Sequence, residues 1–172
     1  MKTVYATLIA VFLFVFSISA LAGGLPWGKP MNEPGRFVVL DSYNNEAVWD
    51  KETGLVWERS PGTAVFMWQH TSLHCNNKNV GNRKGWRLPT IQEVASLIDP
   101  TVPRDRAPTL PADHPFINVQ LSEYWSATQA VPAVTEGSAW AAAFSDGFVG
   151  SFPRSAAMFV WCVRSGQGVD LQ

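Results

Sequence analysis

The spacing of apolar and polar residues changes period several times along this chain, and each change marks an element. Arg36-Phe-Val-Val-Leu40 reads as a strand, with a turn after it at Asn44-Asn45. Ala47 to Asp50 and Leu55 to Arg59 read as a hairpin around a polar turn that contains Gly54. The stretch from about Thr63 to Cys75 predicts a helix, although its apolar positions follow the helical period poorly. Pro61 and Gly62 mark its start, and Asn76-Asn77 its end.

The segment "GWRLPTIQEVASLID" predicts a second helix far more sharply. Thr90 is placed to cap the first free amides, and Glu93 three residues on completes a capping box. Ile91, Val94, Ala95 and Ile98 form one apolar stripe. Asp99-Pro100 stops it, because the residue before proline is pushed out of helical geometry. Five prolines from Pro100 to Pro115 then dictate an irregular surface loop. Tyr124 to Thr128, Ser138 to Phe144, Phe148 to Phe152 and Met158 to Arg164 favour strands, and Asp146-Gly147 signals a tight hairpin. The sum is a strand-rich α+β domain with two helices and long loops.

The start of the chain needs a different reading. Lys2 precedes an uncharged, apolar run from Thr3 to Ala22, which closes on Ala20-Leu21-Ala22. That is the pattern of a signal peptide cleaved after Ala22, with an uncleaved anchor as the alternative. Gly23-Gly24 follow, so the cysteine of a lipoprotein is missing. Residues 23–35 form a Gly/Pro-rich leader, and the folded domain is expected over residues 36–168. Removing 22 of the 172 residues leaves 150, enough for one domain with its own core. It also leaves 12 basic residues against 14 acidic, a balance that excludes a nucleic-acid protein with a global basic face. The expected product is secreted or periplasmic, with no membrane segment after cleavage.

Export changes the meaning of the two cysteines. Cys75 and Cys162 read as one disulfide, 87 residues apart. A loop of that length stabilises by roughly 4 kcal/mol in the chain-entropy model. A pair of free or metal-bound thiols is the alternative, although neither cysteine has a CxxC partner.

Six blocks occur in an order that carries a resemblance: "VWDKETGLVWER", "MWQ" ahead of Cys75, "GWRLPTIQEVASLID", "YWSAT", "AW…FSDG" and "FVWCVRSG". From about Val48 to Gly166 the chain resembles the Lcl C-terminal domain of bacterial collagen-like adhesins. The resemblance implies a C-type-lectin-like fold, distantly similar to the formylglycine-generating enzyme domain. Two helices would flank a twisted antiparallel core with close termini, and Cys75 would bridge to Cys162. Adhesin members are associated with sulfated glycosaminoglycans and with oligomers. The formylglycine-generating relatives need a nearby redox-active cysteine pair, which is not the pattern here, so that activity is expected to be absent.

Candidate chemistry concentrates in a basic loop. Lys78, Arg83, Lys84 and Arg87 lie within ten residues, with no acid among them. Guanidinium forks match sulfate and carboxylate oxygens, and lysine adds point charge. Arg104, Arg106 and Arg154 belong to other loops that would have to lie nearby. Lys78, Arg83, Lys84 and Arg106 are the predicted ligand-binding set. The alternative is a solvated loop with Arg87 in a structural ion pair.

Other groups point elsewhere. Trp49, Trp57, Trp86, Trp125, Trp140 and Trp161 offer sugar-stacking faces but sit where a small core needs large rings. His70 and His74 are four apart on the first predicted helix, yet no Glu follows His70 as a zinc-protease motif requires. His114 stands far off in the proline loop. "NEPG" at residues 32–35 contains the Glu-Pro of a lectin calcium loop but precedes the fold. Asp41, Asp50 and Asp146 read as turn residues. No metal or cofactor is expected. The reading is a non-catalytic binding module for an acidic polysaccharide, such as a glycosaminoglycan. An envelope-protein interaction module is the alternative, and an enzyme whose pocket is invisible in sequence comes third.

Overall fold

The computed structural model of the protein describes residues 35–130 and 137–166. The signal sequence, its cleavage site, nearly all of the leader and the expected domain end at residue 168 lie outside those residues. Among the described residues, nine strands form two sheets, with two helices packed against them.

The first sheet grows from local hairpin chemistry. β1 (Phe37–Leu40) pairs antiparallel with β2 (Ala47–Asp50), after a 3-10 turn over Asp41–Tyr43. Asn44 and Asn45 then take φ of 53° and 59°, conformations that asparagine tolerates better than most residues. β2 pairs with β3 (Leu55–Glu58) across the turn at Gly54, and β3 pairs with β9 (Val163–Ser165). The first and last described strands therefore share one sheet, in the order β1-β2-β3-β9.

The second sheet has the order β4-β8-β5-β6-β7, with β4 Val65–Met67, β5 Glu123–Gln129, β6 Ser138–Ala143, β7 Val149–Pro153 and β8 Ala157–Phe159. It is antiparallel except where β5 meets β8, at Tyr124 and Phe159. The β6–β7 hairpin turns at Gly147, where φ is +75° and its N–H donates to Ala143 O.

Three predicted elements are corrected. The first helix, α1, spans Trp68–Asn76, and residues 65–67 ahead of it are strand β4. Val65 and Met67 find partners at Phe159 and Ala157, and the Trp68 N–H donates to Arg154 O. A neighbouring strand thus takes the hydrogen bonds that a helical turn would have used. Met158 to Arg164 is likewise two short strands, β8 and β9, which serve different sheets. The second helix, α2, covers only Ile91–Ala95, although its capping box is present in full. Isolated turns hold Leu97 and Ile98 beyond it, and the Asp99 N–H leaves to donate to Thr109 O.

Strand alternation places the core on both faces of the first sheet. Leu40, Ala47 and Val56 join Trp86, Trp125 and the two half-cystines on one side. Val48, Trp57 and Val163 join Leu97, Phe116, Tyr124 and Trp161 on the other. Cys75 and Cys162 form the expected disulfide, both fully buried, with Cα atoms 5.5 Å apart. Trp57, Trp86, Trp125 and Trp161 are buried, so these four indoles serve the core, whereas Trp49 and Trp140 are half-buried.

Candidate functional site

Strand alternation also sends one acid inward. In β3, Val56 faces the disulfide side of the sheet, so Glu58, two residues on, must face it too. Glu58 is 2% exposed. One of its carboxylate oxygens accepts the Cys162 N–H at 2.8 Å, and the other meets Lys78 Nζ at 2.7 Å. Burial pushes the Glu58 carboxyl above the usual range, in spite of Lys78 and the Cys162 amide, which favour its charged form.

Lys78 begins the basic loop, and the loop is held at nearly every step. The Lys78 N–H donates to Cys75 O, and the Gly81 N–H to a Glu46 carboxylate oxygen at 2.6 Å. Val80 and Arg83 exchange two backbone hydrogen bonds. The Trp86 indole donates to Arg83 O, and Arg87 exchanges two backbone bonds with Val163 of β9. Gly81 has φ of +58°, and a side chain there would run into Tyr43. The loop is therefore fixed on the body before any ligand arrives.

This anchoring sorts the predicted basic residues. Lys78 is paired with Glu58. Arg87 forms a bidentate pair with Glu93 at 2.6 and 2.7 Å, the structural alternative anticipated for it. Burial disfavours the Glu93 carboxylate, but hydrogen bonds from Arg87 and Thr90 outweigh it and hold its pKa below the usual value. Arg83 and Lys84 are exposed and have no acid within ion-pair distance among the described residues. The Arg83 guanidinium lies 5.6 Å from the centre of the buried Tyr43 ring. Arg164 of β9 lies at the same 5.6 Å from that ring, and its Nη1 is buried with no hydrogen-bond partner.

Beside this cluster lies a cleft of about 340 Å³ at the open end of the β2–β3 hairpin. Its lining includes the charged residues Glu46, Glu58, Arg59 and Lys78 and the apolar Val80 and Ile117.

Residues 46–164 match the family of the Lcl C-terminal domain. The chain belongs to this family. No curated protein matches it.

In this Lcl C-terminal domain the fourth predicted ligand residue stands apart. Arg106 lines a separate recess of about 420 Å³ in the proline loop, together with Asp99 and His114. His114 is half-buried, its ring stacks on Phe116, and burial lowers its pKa. Arg104 shares the 3-10 turn of Arg106. Arg154 lies over Trp68, with its guanidinium 4.2 Å from the ring centre. On α1, His70 is exposed, while His74 packs against Phe66 with its pKa lowered by burial and by nearby Lys78. Among the described residues no group of three or more His, Cys, Asp or Glu could hold a metal ion. No helix there is long and apolar enough to cross a membrane.

Sequence reading missed Tyr43, Glu58, Arg59 and Arg164 as site residues. Glu58 carried a signal: an acid two positions after an inward valine on a strand must be buried. Arg164 had none, since only the β3–β9 pairing and the folded loop bring it to Tyr43.

Proposed function

We propose that this Lcl C-terminal domain is an exported, non-catalytic binding module for acidic polysaccharides. Arg83, Lys84 and Arg164 would contact sulfate or carboxylate groups. The observation that carries this reading is the pair of guanidiniums on Tyr43, neither of them neutralised by a carboxylate among the described residues. The anchoring of the loop supports the same reading, because a preorganised site loses less entropy on binding.

The test is retention on immobilised heparin across a salt series. Ionic contacts predict elution that moves to lower salt in an Arg83→Ala/Lys84→Ala variant with an unchanged melting temperature. Lys78 stays out of the variant, since its removal would strand the Glu58 charge. Wild-type protein that fails to bind at low salt would dismiss the reading.

One observation favours protein recognition as the second reading. β7 is the edge strand of its sheet, and its first residue Val149 and the preceding Phe148 are exposed. Binding to an envelope-protein partner through them would persist at high salt and disappear in Phe148→Asp.

A further inference from the structure

The cleft beside the basic loop holds two opposite charges that do not neutralise each other. Glu46 and Arg59 adjoin across the end of the β2–β3 hairpin, where the Arg59 N–H donates to Glu46 O at 2.9 Å. Their side chains form no ion pair. Each is held by main-chain groups instead. Arg59 donates Nε to Pro115 O and Nη1 to Asn45 O, which leaves Nη2 uncommitted. Glu46 accepts the Gly81 N–H with one oxygen and has the other to spare. Lys78 also lines the cleft, and only one of its three ammonium hydrogens is needed by Glu58. Charges of both signs thus line one cleft together with Val80 and the half-exposed Ile117, whose N–H donates to Arg59 O.

We propose that this cleft binds a small zwitterion, an α-amino acid with an aliphatic side chain. Arg59 Nη2 and Lys78 receive its carboxylate, Glu46 receives its ammonium, and Val80 and Ile117 cover the side chain. A neutral sugar would leave both charges uncompensated, and a simple anion would leave Glu46 so. This goes beyond the acidic-polysaccharide reading, since it uses none of Arg83, Lys84 and Arg164.

The experiment is a titration of the full mature protein with L-leucine, followed by NMR chemical shifts and by melting temperature. N-acetyl-leucine lacks the ammonium, leucinamide lacks the carboxylate, and glucose lacks both. Leucine is expected to bind at least about tenfold more tightly than any of the three. Glu46→Gln keeps an acceptor for the Gly81 N–H but loses the charge, and should abolish that preference. Ile117→Trp, at an exposed position, should block the cleft. Ile117→Trp should keep wild-type heparin retention, so the two readings fail separately. Equal binding of leucine and its two derivatives would overturn the proposal. So would the absence of binding by every aliphatic amino acid at millimolar concentration, or wild-type leucine affinity in Glu46→Gln.

Discussion

Lys78 Nζ stands 2.7 Å from Glu58 Oε1, and through that contact the basic loop is tied to the backbone of the disulfide. The Glu58 N–H donates to Cys162 O and its carboxylate accepts the Cys162 N–H, while the Lys78 N–H donates to Cys75 O. One ion pair thus spans the two half-cystines. Removing one partner leaves an unpaired charge in the core, which costs far more than removing both. Lys78→Met should destabilise the domain by about 3 kcal/mol. Glu58→Gln/Lys78→Met should cost clearly less, and urea denaturation of the three proteins measures the difference.

The two structural glutamates should give opposite pH dependences. Glu58 has a folded-state pKa above its unfolded value. Its contribution is therefore full below the ordinary Glu range and is lost as pH rises through the folded value. Glu93 has a lowered folded-state pKa, so its contribution is present above the ordinary range and is lost as pH falls through the folded value. Denaturation midpoints from about pH 3 to 8 should lose the first slope in Glu58→Gln and the second in Glu93→Gln. A profile that Glu58→Gln leaves unaltered would show that Glu58 titrates alike in both states.

Reduction should weaken the whole domain, because Cys75 and Cys162 join α1 to the segment leading into β9. The bridge closes an 87-residue separation, so Cys75→Ala/Cys162→Ala should lose roughly 4 kcal/mol. Equal urea midpoints with and without reductant would contradict this.

Gly81 is fixed by two demands at once, a positive φ and contact with Tyr43. Gly81→Ala should cost about 2 kcal/mol from backbone strain, with crowding against Tyr43 in addition. It should also displace Arg83, so heparin retention should fall together with melting temperature. Gly85 has φ of +85° but open space around it, so Gly85→Ala should cost stability and leave the Tyr43 contact intact.

Local chemistry made much of this fold legible. Thr90 and Glu93 cap α2 as their spacing requires, and Gly54 and Gly147 turn the two hairpins where they were expected. The pairing of Cys75 with Cys162 followed from there being only two cysteines. What misled was the stretch before Trp68, where helix and strand were close in local preference and β8 decided for strand. The basic loop was visible as composition, but which of its charges were already neutralised was not. Glu58 and Glu93 lie 20 residues before Lys78 and six after Arg87 respectively, and only the second spacing suggests contact along the chain.

The sequence by itself determined most of the strands, the cap of α2, the hairpin turns and the covalent bridge, because each depends on residues close in the chain or on a count of two. Tertiary structure alone decided which cations remain available. It buried Glu58 against Lys78, brought Arg164 to the ring that Arg83 covers, and held Arg106 at a separate recess. The physical reason is that a charge's availability depends on what folding places within a few ångströms of it, and those neighbours come from strands far apart in sequence.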